Sequence, residues 1–189
     1  MKNNLTKKEI ENLCKWAKKY GIEDLDAKEK ILDIKELKIA SDKIDYFPKE
    51  IFKLTNLESF DIDCYSLEEF PKDIEKLINL KELYIKDCKN LKEVPKEISN
   101  LKRLKNITIA CRDKIKIPDE VKNLIKYESF YITINNVYSS KELETELSDL
   151  IKNKNFEIED NYIFEDSNIL DFKSVNISKN NSVDCYDKI

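Results

Sequence analysis

The stretch Leu80–Leu101, LKELYIKDCKNLKEVPKEISNL, spaces its apolar residues in a way that fits neither one long strand nor one long helix. Apolar and polar residues alternate around Leu83 and Ile85, which predicts a short strand. After a turn, Val94 and Pro95 begin a return segment that suits a short helical or extended leg. One such loop cannot bury its own apolar side, so the pattern requires copies stacked on both sides of it.

The same pattern recurs at intervals of 23 or 24 residues. The copies begin at shared positions: Ile34, Leu57, Leu80, Leu104 and Tyr127. The four prolines of the protein occupy one shared point of successive copies: Pro48, Pro71, Pro95 and Pro118. Chance does not place every proline in register, so the sequence predicts stacked repeats whose strands form a parallel sheet.

An amphipathic helix is predicted ahead of the repeats. Thr6 and Glu9 have the spacing of a capping box, and Ile10 and Leu13 mark one apolar helical face. Gly21 follows where a left-handed helix end needs a glycine. We interpret residues 1–33 as an N-terminal helical cap that covers the first repeat, with a partner-binding helix as the alternative.

The chain beyond the last repeat has a different pattern. Ser139 and Glu142 have the spacing of a second capping box, and the residues of the range 156–166 alternate as strands do. We therefore expect residues 135–172 to form a C-terminal cap of a helix plus strands, shielding the open edge of the sheet. The Ser-, Asn- and Lys-rich residues 173–189 predict a flexible tail.

The repeated stretch LxxLxIxxCxxLxxVPxxIxxL resembles a leucine-rich repeat, and its second half resembles the LPxxIxxL class of about 23 residues. The resemblance covers residues 34–134, as four full repeats and a fifth strand. It implies an α/β fold, in which a curved solenoid has a parallel sheet on its concave face, and it implies a protein ligand. The chain departs from the family at the ladder asparagine, where it has other residues: Asp42, Tyr65, Cys88 and Arg112.

Composition and charge exclude several functions. The net charge is -4, with 38 acidic and 34 basic residues, so the chain lacks the basic footprint of a nucleic-acid binder. We see no apolar run long enough to span a bilayer and no secretory signal, so we expect no membrane partner and a cytoplasmic location. Without histidine, imidazole catalysis is impossible, and a single glycine cannot build a phosphate-binding loop.

The cysteines leave two interpretations. Three of them track the repeats: Cys64, Cys88 and Cys111. A thiol cluster that binds metal or senses redox state is one interpretation. The other, which we favour because no CxxC pair or histidine accompanies them, is that each is a small apolar residue at a turn. We therefore expect no metal and no cofactor.

The predicted binding surface lies on the strand positions that alternate with the core residues. Its candidate residues are Lys38, Asp61, Asp63, Glu82, Tyr84, Lys86, Thr108 and Tyr131. In this alignment Tyr131 stands next to Thr108. Tyrosine is a frequent interface anchor, and the carboxylates would suit a basic partner. A solvated face without a ligand is the alternative.

The leading functional hypothesis is a non-enzymatic scaffold that binds a protein through the concave face. A secreted effector or immunity-type binding protein is the alternative. An enzyme would need its site in the C-terminal segment, where Asp160, Glu165 and Asp166 supply carboxylates without an evident pocket. The sequence leaves the oligomeric state open.

Overall fold

A computed structural model describes residues 5–110, 115–122, 124, 131–136, 156–162 and 173–179 of the chain. Its strands are β1 (Glu36–Ala40), β2 (Ser59–Asp63), β3 (Glu82–Lys86), β4 (Asn106–Ala110), β5 (Tyr131–Asn136), β6 (Phe156–Tyr162) and β7 (Lys173–Lys179). Its α-helices are α1 (Lys7–Tyr20) and α2 (Asp119–Lys122). Short 3₁₀ helices span Glu23–Leu25, Ile31–Asp33, Ile51–Lys53, Lys72–Lys76 and Lys96–Asn100. All strands join one sheet in the order β1-β2-β3-β4-β5-β7-β6.

Helix α1 begins and ends as the sequence predicts. The backbone N–H of Thr6 donates to Glu9 Oε2 at 2.9 Å, and the N–H of Glu9 donates to Thr6 Oγ1 at 3.3 Å. These reciprocal bonds satisfy two donors that an α-helix leaves unpaired at its start. At the other end Gly21 has φ of 72°, a left-handed conformation in which other residues are strained. The capping-box prediction is confirmed.

The predicted repeat register is confirmed from β1 to β4. Leu37 pairs with Phe60, Phe60 with Leu83, and Leu83 with Ile107, all in parallel strands. The four proline carbonyls each accept a hydrogen bond from the N–H three residues further on, with N–O distances of 3.0–3.1 Å. Each proline therefore opens an equivalent turn on the return leg, where its missing N–H costs no sheet hydrogen bond.

The core is continuous from α1 through the repeats. The inward residues of β1 to β4 are at most 2% exposed. Rings connect the helix to the repeats: the Trp16 and Phe47 centroids lie 6.4 Å apart, and those of Phe47 and Phe60 lie 6.0 Å apart. These contacts place the buried face of α1 on the same core as the first two repeats.

Two asparagine amides and one arginine connect successive repeats just ahead of the strands. Asn56 Nδ2 donates to the carbonyl of Leu32 at 2.9 Å, and Asn79 Nδ2 donates to the carbonyl of Thr55 at 2.6 Å. In the next repeat, Arg103 donates to Asn79 Oδ1 at 2.8 Å. The chain thus has an amide ladder ahead of its strands, although it lacks the family's asparagine after them.

The register of β5 corrects the sequence alignment. β5 runs parallel to β4, but it pairs Thr108 with Thr133 and Asn106 with Tyr131. The expected pairing of Thr108 with Tyr131 is therefore wrong by two residues. A shift of two residues preserves the alternation of apolar and polar positions, so the pattern alone does not distinguish the two registers.

The end of the chain also differs from expectation. Residues Lys173–Lys179, predicted to belong to a flexible tail, form β7 and pair antiparallel with both β5 and β6. The predicted strand from residue 156 is present as Phe156–Tyr162. Its register continues the apolar row of the repeats, since Ile132 pairs with Ile177 and Ile177 pairs with Ile158. The predicted helix from Ser139 and the segment 180–189 lie outside the described residues.

One backbone donor on the first edge of the sheet is bonded to a side chain. The N–H of Lys38, in edge strand β1, donates to Asp24 Oδ2 at 3.2 Å. Asp24 lies in the 3₁₀ helix Glu23–Leu25, directly after α1. This carboxylate occupies a backbone donor that an edge strand otherwise offers to another chain.

Candidate interaction surface

The polar face is the side of the sheet opposite the core, and the strand register arranges its residues in three rows. The first row is Glu36, Ser59, Glu82, Asn106, Tyr131, Ser178 and Glu157. The second row is Lys38, Asp61, Tyr84, Thr108, Thr133, Asn176 and Glu159. The third row is Ala40, Asp63, Lys86, Ala110, Asn135, Ser174 and Asn161.

Four predicted residues contact one another on β2 and β3. Lys86 Nζ lies 3.1 Å from Asp61 Oδ2 and 4.9 Å from the centroid of the Tyr84 ring. The hydroxyl of Tyr84 donates to Glu82 Oε2 at 3.2 Å. The cation over the ring and the hydroxyl bond hold the tyrosine from two sides. We call Asp61, Glu82, Tyr84 and Lys86 the anchor cluster.

Asp63 lies beside the anchor cluster with an excess of negative charge around it. Register places it opposite Lys86, whose ammonium instead binds Asp61 on the diagonal. Burial raises the pKa of the Asp63 carboxyl, and the carboxylates of Asp87, Asp61 and Asp42 raise this pKa further. A positive charge arriving at this point would relieve the repulsion among these carboxylates.

Two buried oxygen atoms on the polar face lack a hydrogen-bond donor among the described residues. Burial and the Glu82 carboxylate raise the pKa of the Tyr84 hydroxyl, while a hydrogen bond with the Asn106 side chain lowers it. Among the described residues, Asp61 Oδ1 and Asn106 Oδ1 are buried and accept no hydrogen bond. An unpaired buried acceptor is costly, and a ligand that donates to it removes that cost.

The other predicted residues surround the anchor cluster. Lys38 is exposed on edge strand β1, and Thr108 is half-buried on β4 beside Tyr84. Tyr131 lies in the first row, opposite Asn106, and therefore one row away from its predicted place.

The alternation of strand positions does not identify Asn106, Asp42 and Asp87 as members of this surface. Asn106 occupies an alternating position of β4, but nothing in the local sequence shows that its acceptor stays unpaired. Asp42 and Asp87 follow β1 and β3, so a rule that considers only alternating strand positions passes over them. Their charge is the signal that identifies them, because each places an acid near the end of its strand, as Asp63 does at the end of β2.

The described cysteines are buried in the core. Cys14, Cys64 and Cys88 are at most 4% exposed, and burial raises the pKa of the Cys64 thiol to about 12. Cys64 Sγ lies 3.7 Å from the carbonyl of Ile39 in the preceding strand. Such a thiol acts as a packing residue rather than as a nucleophile. Cys111 and Cys185 lie outside the described residues.

The other candidates that the sequence raises are an enzyme site and a metal site. Of the carboxylates proposed for an enzyme, Asp160 lies on edge strand β6 opposite Val175, and Glu165 and Asp166 lie outside the described residues. Over the described ranges, no group of three or more Cys, Asp and Glu residues is placed to hold a metal ion. The helices in these ranges are too short or too polar to cross a bilayer.

The repeats of this chain match the model of a known protein family. A family model described as a leucine-rich repeat region matches residues 10–182. Among solved structures, a leucine-rich-repeat protein of Leptospira interrogans is similar at 21% sequence identity, with a TM-score of 0.27. That match covers 61% of this chain and 41% of the other, so the chain spans less than half of that protein's length. No curated protein matches the sequence. The family match extends over most of the chain, and the protein therefore belongs to the leucine-rich-repeat proteins.

Proposed function

We propose that this protein is a non-enzymatic interaction module whose protein partner docks on the polar face, around the anchor cluster. Leucine-rich-repeat proteins typically bind proteins. The residues of the polar face on β1 to β4 do not pack in the core, so this face is a wide surface on which a partner can dock. The observation that carries the proposal is the arrangement of Asp61, Glu82 and Lys86 around Tyr84. A tyrosine held in place by its neighbours loses little conformational freedom on binding, which is the property of an interface anchor.

The charges around the anchor indicate a partner with a basic contact region. The polar-face positions of β1, β2 and β3 include four carboxylates (Glu36, Asp61, Asp63 and Glu82) and two ammonium groups (Lys38 and Lys86). A lysine or arginine of the partner would offset the charge of Asp63 together with that of Asp42 and Asp87. Charge complementarity of this kind raises the association rate and selects against acidic partners.

The architecture that we propose for this function is a solenoid with the polar face on its concave side. Helix α1 supports a role as N-terminal cap, because Trp16 packs against Phe47 and Glu9 pairs with Lys53 of the first repeat. The pair β7 and β6 supports a role as C-terminal cap, because β7 pairs with the edge of β5. Caps of this kind keep terminal repeats from exposing their apolar sides.

The proposal is tested by removing charge from the surface without changing its shape. The double variant Asp63→Asn and Glu82→Gln keeps the size of both side chains and leaves the Asp61–Lys86 pair intact. Affinity capture with the full chain followed by mass spectrometry identifies partners. We expect the double variant to lose the partners that the parent protein captures, and the loss to be larger at low salt.

A matched control removes the same charge elsewhere. Glu68 and Glu69 are exposed in the segment after β2, and the variant Glu68→Gln and Glu69→Gln changes the net charge equally. This control should capture the same partners as the parent. The proposal is wrong if both double variants capture an unchanged set, or if both lose partners to the same extent.

A further inference from the structure

The lysine of the anchor cluster has two carboxylates within reach on the neighbouring strand, and it bonds to the farther one. The register places Lys86 opposite Asp63, with Cα atoms about 4.8 Å apart, and about 8 Å from Asp61 on the diagonal. The ammonium of Lys86 nevertheless lies 3.1 Å from Asp61 Oδ2. Burial and the surrounding carboxylates raise the pKa of Asp63. The diagonal pair therefore leaves the excess of negative charge at Asp63.

The pair with Lys86 satisfies only one oxygen of Asp61. Oδ2 accepts a hydrogen bond from the ammonium, whereas Oδ1 is buried and has no donor among the described residues. An ammonium is a compact point charge, whereas a guanidinium is a planar fork that donates to both oxygens of a carboxylate at once. The unpaired oxygen is thus a group that a guanidinium would satisfy and that the resident ammonium leaves unsatisfied.

The place held by the Lys86 ammonium also lies beside an aromatic ring. Nζ is 4.9 Å from the centroid of the Tyr84 ring, so a cation at this place contacts the ring face and the Asp61 carboxylate together. A planar guanidinium stacks on such a face, which an ammonium does not do. The Lys86 side chain is 40% exposed, and an ion pair that solvent reaches contributes little to stability, so another cation can replace it.

We propose that the contact residue of the protein partner is an arginine that replaces Lys86 at Asp61. The guanidinium donates to both Asp61 oxygens and stacks on Tyr84, while Lys86 turns to Asp63, directly opposite it on β2. One exchange thus satisfies the unpaired oxygen of Asp61 and balances the charge of Asp63. An incoming lysine would only repeat the bond that Lys86 already makes, so the surface selects arginine over lysine. This inference rests on the proposed function, because it names the contact residue of the same partner.

Two blocked peptides of equal length and charge test the selectivity, one alternating glycine with arginine and the other alternating glycine with lysine. Calorimetry at low salt measures their binding to the purified full chain. We expect the arginine peptide to bind at least about tenfold more tightly. Asp61→Asn keeps the size of the side chain and should remove most of this preference, and Tyr84→Leu should reduce it by removing the ring. Glu68→Gln removes the same charge from an exposed position after β2 and should keep the preference.

The exchange itself is tested through Lys86 and Asp63. In carboxyl NMR titrations of the parent, the pKa of Asp63 should fall when the arginine peptide binds, because an ammonium then faces this carboxylate. Lys86→Met should bind the lysine peptide more tightly than the parent does, because the place beside Asp61 is then open. Lys96→Met, an exposed position on a return leg, removes the same charge and should change this affinity less.

The outcomes separate this inference from the proposed function. Circular dichroism establishes that each variant is folded, and if Asp61→Asn is not, Tyr84→Leu decides. Equal affinities of the two peptides, binding of neither, or an arginine preference that the folded variants retain overturns the inference. A constant Asp63 pKa while the arginine peptide binds overturns the exchange. Loss of partner capture in the Asp63→Asn and Glu82→Gln variant supports the proposed function even where the two peptides bind equally.

Discussion

Replacing Leu83 by Ala tests the inward rows on which the fold depends. Leu83 is fully buried in β3, between Phe60 and Ile107 of the neighbouring strands, and both of these are fully buried as well. The substitution removes three carbons, which corresponds to roughly 2.4 kcal/mol of transfer free energy. Because repeats on both sides keep the space from closing, we expect a cavity and a total loss of about 3–5 kcal/mol. Domains of this kind have stabilities of roughly 5–15 kcal/mol, so the loss is large.

Urea unfolding followed by circular dichroism and by tryptophan fluorescence measures this loss. Trp16 is the only tryptophan and lies against Phe47, so its fluorescence reports whether α1 unfolds together with the repeats. Thr108→Ala, on the opposite side of the sheet, is the control and should change the free energy of unfolding by about 1 kcal/mol or less, which is the range of strand propensities. A Leu83→Ala loss below about 1 kcal/mol, or equal losses in the two variants, would refute the placement of the rows.

Three further predictions concern other parts of the molecule. A hydrogen bond from Lys53, followed by that from the Thr6 backbone, lowers the pKa of Glu9 from 4.5 to about 2. Its stabilising effect is therefore present above pH 4.5 and lost as the pH falls towards 2, and Glu9→Gln should flatten this part of the stability curve measured by thermal melts. Since the pKa of Cys64 is about 12, iodoacetamide at pH 8 should label it only in urea; rapid labelling of the native protein would contradict its burial. Truncation after residue 172 removes β7, leaves β5 with a bare edge, and should cause aggregation visible by light scattering; a soluble, equally stable product would show that β7 is dispensable.

Most of the repeat fold could be predicted because several local signals agree. The apolar positions fix which side of each strand is buried, and the prolines fix where each return leg begins. The strand pairs from β1 to β4 then follow from a constant interval between Leu37, Phe60, Leu83 and Ile107. The start and end of α1 follow from Thr6, Glu9 and Gly21 in the same way.

The C-terminal strands could not be placed from sequence because their partners are distant in the chain. Ile132 and Ile134 alternate equally well in two registers, and no proline follows β5 to select one of them. In β7, Val175 and Ile177 are the only large apolar residues among serines, asparagines and lysines, so the composition resembled that of a disordered tail. Pairing with β5 and β6 decides the structure of this segment.

The candidate site was predicted as a set of residues but not as a network. Alternation placed Asp61, Tyr84 and Lys86 on one face, but it gave no means to decide whether Lys86 pairs with Asp63 directly opposite or with Asp61 on the diagonal. The structure selects Asp61, and the selection leaves Asp63 with the unbalanced charge. Side-chain conformation and burial determine this choice, and neither is a property of local sequence.

The contact between Asp24 and the N–H of Lys38 has a consequence for growth of the sheet. Any additional strand that aligned beside β1 would have to displace a carboxylate fixed by the chain segment just before the repeats. The first repeat is thus protected against strand addition, and the pairing of a second protein molecule with β1 is opposed by a single acidic side chain.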